Sequence, residues 1–169
     1  MAKYVTEVLK EINDDPSLLT TTYKRVGDGG PLGKIFWSAF TAEGKFLLPE
    51  GEPPFKKAQE PMGMSPANFI QEVRKFQIFF RNDISKTRRE LAFIQLLEGV
   101  HPDEAKIIIA IKDQELTKLY PNITREAVAA GGYIPKLTPE QVKAEDQEVK
   151  KSVRPRGRPR KSLSPQPAL

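Results

Sequence analysis

Cysteine is absent from the 169 residues, and histidine and tryptophan occur once each. Without cysteine there can be no disulfide, thiolate metal ligand or thiol nucleophile, which suits a reducing compartment. The single histidine, His101, removes any multi-histidine metal site. Because it directly precedes Pro102 at a helix start, its expected place is an N-terminal cap or a simple surface position. Long apolar runs are also missing. The opening MAKYVTEVLKEIND holds no continuous apolar stretch of signal-peptide length, and nothing later approaches a membrane span. No membrane partner is expected.

The last absence is of acid at one end. Residues 149–169 hold seven of the 27 basic residues and none of the 22 acidic ones, so the other 148 residues carry 20 basic and 22 acidic side chains. The sequence pI of about 9.4 therefore comes from the tail, and a charge split of this kind marks an interaction arm.

What is present reads as helix. Tyr4, Val5, Val8, Leu9 and Ile12 recur at helical spacing over residues 3–12, and Asp14, Asp15 and Pro16 end that helix. Leu32, Ile35, Phe36, Ala39 and Phe40 fall on one helical face after the turn at Asp28–Pro31. A hairpin through Ala42-Glu43-Gly44 is the less favoured alternative. Residues 46–66 contain five prolines, Pro49, Pro53, Pro54, Pro61 and Pro66, which favour extended and turn backbone. Phe46, Leu47, Leu48 and Phe55 predict a segment pinned across the body; the alternative is a mobile loop.

Ser65 and Pro66 offer a helix start, followed by Phe69, Val73, Phe76 and Phe80 as a core face and Asn82-Asp83 as its end. The next helix begins around Ser85–Thr87, where Thr87 and Glu90 have capping-box spacing. In LAFIQLLEGV apolar residues stand on nearly every side, as in a centrally buried helix, and Gly99 ends it. A third starts at His101-Pro102-Asp103-Glu104, with both acids where the helix dipole favours negative charge. The run IIIAI at 107–111 has a strand's composition, but its start signals and the spacing of Ala105, Ile108 and Ile111 favour helix. Thr124–Ala130 makes a short helix stopped by Gly131-Gly132, and Tyr133-Ile134-Pro135 closes the body.

The expected architecture is all-α. It comprises a small body over residues 1–135 with about five to six helices and the proline-rich extended segment at 46–66, a polar helical spacer at 136–150, and a disordered basic tail at 151–169.

Catalytic chemistry is not expected. The acid pairs Asp14-Asp15, Asp103-Glu104 and Glu145-Asp146 read as helix ends or solvated faces. The glycine-rich stretch 27–33, GDGGPLG, lacks the Lys-Ser or Lys-Thr ending of a phosphate loop. The phenylalanines between Phe69 and Phe80 read as core, and Arg81, Lys86, Arg88 and Arg89 as a small basic patch or a solvated helix start. No enzyme activity, cofactor, metal or small-molecule ligand is expected.

The explicit motif is RPRGRPRK at 154–161: Arg154, Pro155, Arg156, Gly157, Arg158, Pro159, Arg160 and Lys161. It resembles the AT-hook of high-mobility-group chromatin proteins, whose Pro-Arg-Gly-Arg-Pro core is matched at all five positions of 155–159. The residue types suit an A·T minor groove, which is narrow and strongly negative and favours inserted arginine. Its floor offers only acceptors, whereas G·C adds an amino group that crowds a close-lying backbone. Arg156 and Arg158 would lie along the floor, and Gly157 would let the backbone approach. Pro155 and Pro159 would hold extended backbone and lower the entropy lost on binding. Arg154, Arg160, Lys161, Lys150 and Lys151 would meet phosphates.

The body is similar to an uncharacterised family of small proteins from T-even-like tailed phages, especially those of cyanobacteria. The stretches FLLPEGEPPF at 46–55 and LLEGVHPDEAKIIIAIKDQELTKLYPNITREAVAAGGYIP at 96–135 carry that resemblance. It implies a phage protein acting in the host bacterial cytoplasm or packaged in the virion.

Together these readings lead to two expectations. One is a DNA-associated accessory protein whose tail contacts A·T-rich duplex while its body holds a protein partner, the weak single hook acting through effective concentration. The other is a structural, virion-associated protein whose tail neutralises charge. In mobility shifts the full chain is expected to favour A·T over G·C duplex. Arg156→Ala/Arg158→Ala should abolish that preference; equal affinity of the wild type for both duplexes would exclude minor-groove readout.

Overall fold

The computed structural model describes residues 3–24 and 30–136. All of these fall within one unit, residues 1–136. The regular elements among the described residues are α-helices and 3-10 turns, so the all-α expectation holds. The spacer beyond Lys136 and the tail at 151–169 lie outside the described residues.

Helix α1, Val5–Asp14, buries Val5, Leu9 and Ile12, the apolar stripe legible in the sequence. The Glu7 carboxylate accepts the Tyr4 backbone N–H at 3.1 Å, satisfying one of the orphan donors at the helix start. Asp15 ends the helix and accepts from the Ser17 N–H at 3.1 Å, opening the 3-10 turn Pro16–Leu19 that buries Leu19.

Helix α2, Gly30–Phe40, buries Ile35, Phe36 and Ala39, so the hairpin alternative does not form. Its C-terminal carbonyls are closed by distant side chains. Gln114 Nε2 donates to Ser38 O at 3.2 Å and to Thr41 O at 2.6 Å, and the Arg125 guanidinium donates to Phe40 O. The chain then folds back so closely at Gly44 that a Cβ there would lie 2.4 Å from Trp37 O, a contact only glycine permits.

The proline-rich segment carries no helix, as expected, and it is pinned. Phe46 is buried, with ring centroids 5.1 Å from Phe76, 4.9 Å from Phe79, 5.4 Å from Phe80 and 6.2 Å from Phe93. The neighbouring Leu47 N–H donates to Phe79 O at 2.9 Å. Leu48 and Phe55 pack against the core from partly buried positions, whereas Leu47 is exposed because the chain runs across the surface and shows alternate side chains to solvent.

The next helical stretch departs from expectation at its start and its face. Its cap is Asn68, whose side chain accepts the Ile70 N–H at 3.0 Å, and not Ser65. Helix α3, Phe69–Glu72, passes into a 3-10 turn, Val73–Phe76, and then into helix α4, Gln77–Phe80. A 3-10 segment winds about 20° more per residue than an α-helix, so four such residues advance the face by about 80°, nearly one residue. Phe79 consequently takes the buried place expected of Phe80, and Phe80 packs its edge on Trp37 at a centroid distance of 5.1 Å.

Helix α5, Lys86–Gly99, is capped by Ser85, whose hydroxyl accepts the Arg88 N–H at 3.4 Å. It is not the central helix. Phe93, Leu96 and Leu97 are buried, but Leu91 is 55 % exposed. That position belongs to helix α6, Pro102–Lys112, which is buried on nearly all sides and packs on α1, α2 and α5. It also packs on the single-turn helix α7, Leu116–Leu119, that follows it. The β-branched run 107–111 stays helical because His101 and Pro102 start it and every face finds a neighbour. The intrinsic cost of isoleucine in a helix, a few tenths of a kcal/mol per residue, is small beside about 1.5–3 kcal/mol for each large apolar side chain buried.

Helix α8, Arg125–Ala130, starts at Thr124 and ends at Gly131, and Tyr133 and Ile134 are buried after it. Asn122 ties this end to α1, donating from its N–H to Asn13 Oδ1 at 3.0 Å and from Nδ2 to Asn13 O at 2.8 Å.

Phe46→Ala is expected to lower stability by about 3–5 kcal/mol, as much as truncating a helical core phenylalanine, in denaturant unfolding. A loss under about 1 kcal/mol would show that the segment is not part of the core.

Candidate functional site

A groove of about 340 Å³ opens where the proline-rich segment passes over α5. Leu48, Pro53 and Pro54 form one wall, Phe93 and Ile94 of α5 form the other, and Lys112 at the end of α6 closes it. Glu50, Glu52 and Glu90 also line it.

The first wall is held by a buried ion pair. Lys112 is only 2 % exposed. Its ammonium donates to Pro49 O at 2.7 Å and pairs with the Asp113 carboxylate. The second oxygen of Asp113 accepts the Gly51 N–H at 3.3 Å. Gly51 has φ +90° with open space where a Cβ would stand, a backbone state that suits glycine. Further along, the Lys56 N–H donates to the Glu98 carboxylate at 3.0 Å. An ammonium shielded this fully requires its acceptors, because an unpaired buried charge is very costly. The segment over 49–51 therefore follows the line those acceptors set.

The acids of the groove are loosely paired, Glu50 and Glu52 at exposed positions and Glu90 at a partly buried one. Lys45 stands 3.8 Å from Glu50, Lys57 3.7 Å from Glu52 and Lys86 3.7 Å from Glu90. Exposed pairs of this kind contribute little, and none of the three lysines lines the groove.

The other sequence candidates resolve into structural roles. His101 caps α6, its Nδ1 accepting the Asp103 N–H at 3.2 Å, which leaves the ring proton on Nε2. Glu104 beside it is buried. Burial raises its carboxyl above the usual range, opposed by a hydrogen bond from the His101 backbone N–H. In the patch Arg81, Lys86, Arg88 and Arg89, two of the arginines are tied to the protein's own groups. Arg81 pairs with Asp83, and Arg89 donates to Arg81 O at 2.6 Å and Ile84 O at 2.9 Å, closing the end of α4. Phe69, Phe76 and Phe79 are 1 % exposed and belong to the core. The stretch 27–33 lies partly outside the described residues, and from Gly30 it is the start of α2. The hook residues Arg154, Pro155, Arg156, Gly157, Arg158, Pro159, Arg160 and Lys161 lie outside the described residues.

Sequence reasoning assigned no role to the groove. Its trace was the excess apolarity of LAFIQLLEGV: a helix with one core face does not need Leu91 and Ile94, and Ile94 serves the groove wall instead.

The sequence profile of a family of unknown function, DUF6433, matches residues 24–118, more than half of the chain. The chain belongs to that family. The match contains every residue that lines the groove and stops well short of the hook. No curated protein and no solved structure matches the chain.

Asp113→Ala strands the buried Lys112 ammonium and is expected to cost about 3–5 kcal/mol. Lys112→Met/Asp113→Ala should recover most of that loss, as a double-mutant cycle by denaturant unfolding would show. Additive losses would mean that the pair is not coupled.

Proposed function

We propose that this DUF6433 protein is a non-enzymatic, DNA-associated accessory protein of a tailed phage. Its tail contacts the A·T minor groove and its body engages a protein partner in the host cytoplasm. The observation that carries the reading is the order Pro155-Arg156-Gly157-Arg158-Pro159. A tail serving only to neutralise charge needs arginine and lysine but not a central glycine between arginines with prolines outside them. Charge distribution supports the same division of labour: the net charge of +5 comes from the tail, leaving the rest of the chain slightly acidic and poorly suited to hold phosphates by itself. The family match also ends before the tail, which supports reading the body's role apart from the hook's.

The competing reading, a structural protein of the virion whose tail lies against packaged genome, draws on the same seven cations. The experiment is capture of the tagged full chain from infected cells with and without nuclease, together with a count of copies in purified particles. A protein that stays bound after nuclease treatment, equally for wild type and Arg156→Ala/Arg158→Ala, is the expected result. Loss of every protein on nuclease treatment would remove the partner, and abundant copies in particles would favour the structural role.

A further inference from the structure

The groove between the proline-rich segment and α5 combines three features: apolar walls, an acidic lining and a prebuilt shape. The walls are Leu48, Pro53, Phe93 and Ile94. The carboxylates of Glu50, Glu52 and Glu90 belong to the same lining, while the one buried ammonium there, Lys112, is already committed to Asp113 and Pro49 O. The shape is prebuilt because the buried pair and the Gly51 turn hold the segment's backbone in place before anything binds. Less ordering entropy is then lost on binding.

From these we infer that the groove docks a short peptide segment of a protein partner, one that inserts a large apolar side chain and carries Lys or Arg beside it. This deepens the proposed function, because it rests on the reading that the body engages a protein, and it names the surface and the chemistry of that contact.

Each feature restricts the occupant. Carboxylates on the lining favour a cation over a phosphate as the charged group beside the apolar anchor. A small polar ligand would need convergent, uncommitted polar groups to orient it, and the Lys112 and Asp113 groups are spent on the protein's own backbone. An apolar anchor needs only the walls. Flanking cations meet Glu50, Glu52 and Glu90 by displacing Lys45, Lys57 and Lys86, which stand at 3.7–3.8 Å on exposed stems and are held weakly. Every lining residue falls inside the stretch that defines the family, residues 24–118, as a contact belonging to the body rather than to the tail requires.

The test is a heteronuclear NMR titration of the full chain with two blocked tetrapeptides, acetyl-Arg-Leu-Phe-Arg-amide and its acidic twin acetyl-Glu-Leu-Phe-Glu-amide. The basic peptide should shift the amides of Gly51, Phe93 and Ile94 and bind about fivefold more tightly than the twin, the ratio that one or two exposed charge pairs supply. Glu50→Gln/Glu52→Gln, at exposed positions, should narrow the preference for the basic peptide, with Glu90 left to supply the remainder. Absence of shifts at these amides with either peptide overturns the inference, as does equal affinity of the two peptides for wild type. Nuclease-resistant capture that survives in Ile94→Glu also overturns it, while leaving the partner reading itself in place.

Discussion

Burial of α6 on nearly all of its sides is the constraint from which the rest of the body follows. An 11-residue helix enclosed in this way needs a complete shell, and the chain supplies it with α1, α2, α5 and α7. The enclosure reaches the last turn, where Lys112 is drawn under the surface with only 2 % exposure. A buried ammonium needs acceptors. Asp113 supplies one and the Pro49 carbonyl another, so the helix dictates where a segment about sixty residues earlier must run. The groove is the gap left between that segment and α5.

The same economy holds at the helix ends. The carbonyls that close α2 are met by Gln114 and Arg125 from beyond α6, and those near the end of α4 by Arg89. Long polar side chains that look like surface charge in the sequence are spent on backbone groups that would otherwise be left without partners. At the start of α5 this engages Arg89, while Lys86 stands 3.7 Å from Glu90. The densest run of positive charge in the sequence is the tail, where seven basic residues stand without an acidic one.

Much of the helical body was legible from local signals. The stripes of α1 and α2, the His101-Pro102 start of α6 and the glycine stop after α8 all follow from residue type and spacing, because capping and amphipathicity act over one or two turns. The misreadings have one cause. Asn68 in place of Ser65 as a cap, Phe79 in place of Phe80 in the core, and α6 in place of α5 at the centre were all decided by how neighbouring elements press on a helix. Where a stretch tightens into 3-10 winding, its face rotates, and spacing counted at 3.6 residues per turn points to the wrong side chain.

By itself the sequence determined the helical class, most of the helix starts and stops, the extended character of the proline-rich stretch and the hook motif, since each depends on a few adjacent residues. Only the tertiary structure decided which helix is enclosed, where the buried Lys112 finds its acceptors and that a groove with acidic residues in its lining exists. Those features join residues 48–54, 90–94 and 112, positions whose proximity comes from packing and leaves no local pattern in the chain.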